Sequence, residues 1–131
     1  MFFDASAITA ILTDEDDAAS LYARMETYSR RVTSPMAVWE AVLAVARRLE
    51  LDILDSESAV ETFLTTFGVE VLAIPAEARG AALSAYARFG KGRHPAALNF
   101  GDCFAYACAR LAQSPLLYKG NDFSRTDIEA A

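Results

Sequence analysis

Histidine occurs once in this chain, at His94, and cysteine only twice. His94 has no second histidine or paired cysteine beside it, so nothing in the sequence has the ligand spacing of a zinc centre. Cys103 and Cys108 fall in a segment with helical spacing, about 140° apart around its axis. They cannot bridge without unwinding it, and read as buried, reduced thiols with no metal role. Positive charge is also scarce: 12 Lys and Arg stand against 18 Asp and Glu, a net charge of -6. That balance argues against a protein that coats nucleic acid through a basic surface, so any polyanion must be held by a local basic patch and by bound metal. No apolar run approaches the ~20 residues of a membrane span. The start, Met1-Phe2-Phe3-Asp4, lacks the basic and long apolar stretches of a secretory signal, and a cytoplasmic protein is expected. Linkers, repeats and low-complexity segments are missing too. With 53% apolar and 23% charged residues, the composition is that of a soluble globular protein. Residues 1–131 therefore read as one domain, long enough to bury roughly two-thirds of its unfolded surface.

What is present is an alternation of short apolar strands and amphipathic helices. Met1 to Phe3 reads as a strand and Ala5 to Leu12 as a helix. The acids Asp14 to Asp17 complement the positive end of a following helix that runs to about Tyr28. Arg31 to Thr33 is a second strand. Ser34 caps a helix with Pro35 at its first position, running to about Leu49. Val60, Phe63, Leu64 and Phe67 give helical spacing over Ser56 to Phe67, ended by Gly68, and Val69 to Ile74 is a third strand rich in branched residues. Pro75 opens a helix through Phe89. After the basic loop Gly90 to Pro95, Asn99 to about Gln113 is helical, Leu116 to Tyr118 is the last strand, and Gly120-Asn121-Asp122 turns out of it. Strands alternating with helices predict an α/β fold with a short central parallel sheet and right-handed crossovers that put helices on both faces.

Ligands of such sheets bind beyond the carboxyl ends of the strands. Asp4 ends the first strand, Glu40 lies in the second turn of the helix after the second, Asp122 follows the last, and Asp102 opens the helix after the basic loop. Glu40 is the only charge between Arg31 and Arg47, and Asp102 the only one between His94 and Arg110. An ionised carboxylate among apolar neighbours is costly unless paired or metal-bound. If the four meet, each close pair repels by ~4 kcal/mol at an effective dielectric of about 20, and raised pKa values follow. A hard divalent cation with oxygen ligands, magnesium or manganese rather than zinc, removes that repulsion.

Each acid has a plainer reading. Asp4 can cap the first helix, Asp122 can form an Asx turn, and Asn99 with Asp102 is close to a capping box. Only their joint placement favours the metal. Asp14 to Asp17 read as a solvated face. His94 lacks a partner ligand and reads as a loop contact to phosphate, shared with Lys91 and Arg93, or as simply exposed. Tyr22, Tyr28, Tyr86 and Tyr106 fall at apolar helical positions and read as core.

Asp4-Ala5-Ser6-Ala7 after an apolar strand, Glu40 in a Ser-Pro-capped helix, Asn99-Phe100-Gly101-Asp102-Cys103, and Lys119-Gly120-Asn121-Asp122-Phe123 resemble the four acidic blocks of PIN-domain ribonucleases. The likeness is nearest to VapC toxins of type II toxin-antitoxin (VapBC) pairs and covers essentially the whole chain. It implies a metal-dependent endoribonuclease that uses Mg2+, with Mn2+ as substitute. Asp4, Glu40 and Asp102 would hold the principal ion and Asp122 would complete the site. Ser6 and Asn99 would orient carboxylates or water, while Lys91, Arg93, His94, Lys119 and Arg125 would grip RNA. The resemblance further implies a structured RNA substrate (transfer or ribosomal RNA), neutralisation by a small VapB antitoxin, and a homodimer that builds a higher assembly with it. Ala5 departs from the threonine common after the first Asp, and Lys119-Gly120 from a common hydroxyl residue; neither removes a carboxylate. A phosphoacceptor signalling domain also gathers acids around magnesium, but it needs paired acids after its first strand and an acceptor Asp after its middle one. Here Asp4 is unpaired and the third strand leads into Ala73-Ile74-Pro75. Four intact acids likewise argue against an inert binding module.

Overall fold

A computed structural model describes all of residues 1–131. Four parallel strands, β1 (Phe2–Phe3), β2 (Arg31–Thr33), β3 (Val69–Val71) and β4 (Leu116–Leu117), pair in the order β3-β2-β1-β4. Around them stand α1 (Ala5–Leu12), α2 (Ala18–Glu26), α3 (Pro35–Leu49), α4 (Ile53–Thr66), α5 (Ala78–Phe89) and α6 (Phe100–Leu111). The alternation of side chains along a strand divides the sheet's contribution between two cores. Phe2, Val32 and Leu116 face α5 and α6, whereas Met1, Phe3 and Leu117 face α1 to α4. Helices on both faces follow from this, because strands of two or three residues expose too little surface to be stable unless covered twice.

Local chemistry sets the boundaries. Ser34 accepts from the Ala37 amide, with Pro35 at the first helical position. Three segments depart from the sequence reading. The helix expected from Ser56 begins at Ile53, because Asp52 accepts from the Asp55 amide and caps it a turn earlier; this leaves Ser56 buried, with its hydroxyl donating 2.7 Å to the Val42 carbonyl of α3. The third strand stops at Val71: the Leu72 amide still reaches the Thr33 carbonyl, but β2 ends there and the chain then runs toward Pro75, which has no amide to donate. Finally, Pro75 opens a tight turn, and α5 begins only at Ala78. Tyr22 and Tyr86 are exposed rather than core, while Tyr106 is buried. Both cysteines are free and buried, as expected. No helix is long and apolar enough to cross a membrane.

One buried bond fixes where β1 ends. The fully buried Thr33 hydroxyl donates 2.9 Å to the Phe3 carbonyl, the last group before Asp4. Thr33→Val keeps the volume and removes the donor, so it should cost about 1 kcal/mol of stability, read as a lower urea midpoint at unchanged slope. An unchanged midpoint would mean that the bond does not anchor this edge.

Candidate active site

Asp4 is buried at the end of β1, and its amide donates 3.0 Å to the Leu117 carbonyl of β4. Its side chain caps α1: Oδ2 accepts 2.9 Å from the Ser6 amide and also from the Ser6 hydroxyl. Ser6 Oγ in turn accepts 3.0 Å from the Lys119 amide. Capping of α6 by Asn99 and Asp102 is reciprocal, with Asn99 N donating 2.8 Å to Asp102 Oδ2 and Asp102 N donating 3.0 Å to Asn99 Oδ1. The cap and the site are not alternatives here. For both acids the bonds made to the cap fix Oδ2, leaving Oδ1 for a ligand.

Glu40 projects from the second turn of α3 toward the start of α6. A Cβ on Gly101 would overlap its carboxylate, so the glycine is what leaves room for the Glu40 side chain in this position. Asp4, Glu40 and Asp102 line one cleft of about 850 Å³, together with Ser6, Glu15 and Lys119. Asp122 is exposed at the turn after β4, makes no capping bond, and lies near enough that its charge acts on both Asp4 and Asp102.

The charges are costly where they stand. Burial raises the pKa of Asp4 against the lowering effect of the Ser6 bonds, and Asp122 adds to the rise. Glu40 is pushed up to about 7 by burial and then by the charges of Asp4 and Asp102. Asp102 is raised to about 6, again by burial, with Asp4 and Asp122 adding to it against the Asn99 bond. No three Asp, Glu, His or Cys side chains form a ready ligand cage. Even so, this mutually repelling, partly dehydrated oxygen set suits a hard divalent cation, which would offset the repulsion.

The basic candidates fall elsewhere. Lys91, Arg93, His94 and Arg125 do not line the cleft. Lys91, Arg93 and Arg125 are exposed, and Arg93 sits 5.5 Å from the Tyr86 ring. His94 packs edge-on against Phe89 and accepts from the Ala96 amide, while Arg125 donates 3.3 Å to the Pro95 carbonyl. Lys119 is ion-paired to Glu15 and Asp17. Of the acids Asp14 to Asp17, Asp14 and Asp16 are exposed as expected, whereas Glu15 and Asp17 are not simply solvated: the Glu15 side chain is only 12% exposed and also pairs with Arg48 at 2.8 Å. Reading the sequence missed Gly101, Trp39 and Arg47. Trp39, 64% exposed, and Arg47 line the cleft wall on α3. The available signals were a glycine next to an acid in a first helical turn, and a tryptophan next to a lone glutamate.

The PIN domain family model matches residues 1–129. Ribonuclease VapC30 of Mycobacterium tuberculosis is 39% identical over 98% of this chain and 95% of its own. Ribonuclease VapC of Mycolicibacterium smegmatis is likewise 39% identical, over 99% and 98%. Among solved structures, Mycobacterium tuberculosis VapC20, described as a sarcin-ricin loop cleaving toxin, superposes with a TM-score of 0.76 at 17% identity, over 99% of this chain and 97% of that one. At that identity the last match bears on the fold alone.

Two outcomes follow from the geometry. Gly101→Ala keeps every carboxylate but displaces Glu40, so Mn2+ affinity should fall about tenfold while the melting temperature stays close to wild type; unchanged affinity would show that Glu40 is not a ligand. In the metal-free protein the raised pKa values of Glu40 and Asp102 add stability at acid pH, and that contribution is lost as pH rises through about 6 to 7. Mn2+ binding at pH 6 should accordingly release at least about one proton, falling toward none at pH 8. Calorimetry in buffers of different ionisation enthalpy measures this, and equal release at both pH values would contradict it.

Proposed function

This chain belongs to the PIN-domain family, among its VapC ribonucleases, and from that premise we propose that it is a metal-dependent endoribonuclease toxin. The observation that carries the reading is the convergence of Asp4, Glu40 and Asp102 on one cleft, where burial first and neighbouring carboxylate charges second raise the pKa of Glu40 and Asp102. Those three would hold Mg2+ or Mn2+, with Asp122 completing the site. When bound, the ion supplies an acidified water and neutralises charge developing on the phosphate. The protein's part is orientation. Ser6 holds one oxygen of Asp4, Asn99 holds one of Asp102, and Gly101 leaves room for Glu40. A structured RNA, transfer or ribosomal, is the proposed substrate, and a VapB antitoxin the proposed partner, acting on a homodimer in the cytoplasm. The names of the relatives, ribonuclease and VapC, support an RNA substrate and an antitoxin partner.

On the α3 wall, Arg47 offers an exposed cation to the RNA backbone and Trp39 a face for a base. Lys91, Arg93, His94 and Arg125 would extend this grip beyond the cleft, on the loop that leads to α6 and the turn beside it.

Purified protein with Mn2+ should cut total RNA at discrete sites that vanish with EDTA and in Asp102→Asn; equal cutting by the variant would remove Asp102 from the machinery. Because Trp39 is the only tryptophan, RNA bound to Asp102→Asn should quench the emission of the protein. Tight binding with unaltered emission would place the base elsewhere.

A further inference from the structure

Lys119 is held at both ends. Its ammonium is clasped by Glu15 Oε2, with Asp17 Oδ1 3.0 Å away as an ion contact off the hydrogen-bond line. Its amide donates 3.0 Å to Ser6 Oγ, and Ser6 donates to Asp4 Oδ2 through both amide and hydroxyl. The Leu117 carbonyl, two residues earlier, takes the Asp4 amide. Three residues later comes Asp122, after a turn in which Gly120 adopts φ +94°. One short segment therefore carries the hydroxyl's donor, the acceptor for Asp4's amide and the fourth carboxylate.

The far end of this chain of contacts is well built. Glu15 accepts 3.2 Å from the Thr13 hydroxyl, pairs with Arg48 at 2.8 Å and takes Lys119 on its other oxygen. Its side chain is 12% exposed and that of Lys119 33%. An RNA phosphate that approached this lysine would meet two carboxylates already holding it, and displacing them would leave Glu15 largely covered and short of a partner.

We infer that Lys119 is a positioning residue: its ion pair with Glu15 and Asp17 fixes the segment after β4, which through Ser6 sets the orientation of Asp4 and through the Gly120 turn sets the place of Asp122. This rests on the reading of Asp4 as part of the working site. It removes Lys119 from the RNA grip and gives the acids at Glu15 and Asp17 the role of its anchor.

The test uses the full chain with Lys119→Met, Lys119→Arg, Glu15→Gln and the Glu15→Gln/Lys119→Met double variant. For each, the Mn2+ dissociation constant is measured by water-proton relaxation, and kcat and KM on a cleavable RNA are separated. A positioning role predicts that Lys119→Met weakens Mn2+ binding about tenfold and lowers kcat with KM nearly constant. Lys119→Arg should recover most of the loss, and the double variant should be no worse than Lys119→Met alone, since the two residues act through one contact. If Lys119→Met instead raises KM and leaves Mn2+ binding and kcat intact, while Glu15→Gln lowers KM by freeing the lysine, Lys119 is an RNA contact and the inference is overturned. Wild-type protein that binds no Mn2+ would bring down the site itself, an outcome separate from any difference among the variants.

Discussion

The arrangement depends on negative charge held where water is largely excluded. Asp4 is buried at a strand end with Glu40, Asp102 and Asp122 disposed around it, and the bonds of Ser6 offset only part of the cost. Two helix N-termini share the remainder. Asp4 is the N-cap of α1, and Asp102 lies in the first turn of α6, so both stand at positive ends of backbone dipoles. Glu40 has neither a cap nor a hydrogen-bond partner, and it is the acid pushed highest among those with a definite value, to about 7. The site is therefore graded: two acids are tied to backbone amides and one is left to respond to whatever enters the cleft.

Topology makes this convergence possible. In the order β3-β2-β1-β4 the ends of β1 and β4 are neighbours, so Asp4 and the segment carrying Lys119 and Asp122 meet without any long excursion of the chain. The helix after β2 passes over the same edge and delivers Glu40 from its second turn. α6 arrives from the far side of the sheet, packed in the core with α5, yet its N-terminus reaches the same cleft. Every strand is two or three residues long, so the edge is rigid only because both faces are packed and because bonds such as Thr33 to Phe3 pin the strand ends.

What could be read in the residues was the part encoded by near neighbours. Ser34-Pro35 and the Asn99-Asp102 pair specify helix starts through contacts three residues apart, and the acids were visible because α/β topology sends strand ends to one side. The start of α4 was misplaced because Asp52 supplies a cap before the periodic apolar residues begin. β3 was overextended because Leu72 to Ile74 have strand composition, yet β2 ends at Thr33 and offers no further partner. Within the acids Asp14 to Asp17, the pairing of Glu15 and Asp17 is invisible in the sequence because their partners, Arg48 and Lys119, are remote in it. The room that Gly101 leaves likewise matters only once the Glu40 carboxylate of α3 lies against α6.

The same charges bear on how RNA can enter. Asp4, Glu15, Glu40, Glu50 and Asp102 line the cleft against Arg47, Arg48 and Lys119, and Glu15 already occupies two of those three bases. With the acids ionised, the lining is formally two charges negative, which a single divalent cation brings to neutrality. Without that ion a phosphate backbone meets an acidic wall at the place where it would be cut, while Arg47 and the loop cations offer weaker contacts farther out. On the proposed reading a divalent cation would therefore do more than activate water: it would also remove the electrostatic barrier to the substrate, so that RNA affinity within the cleft and metal occupancy would be linked, each strengthening the other.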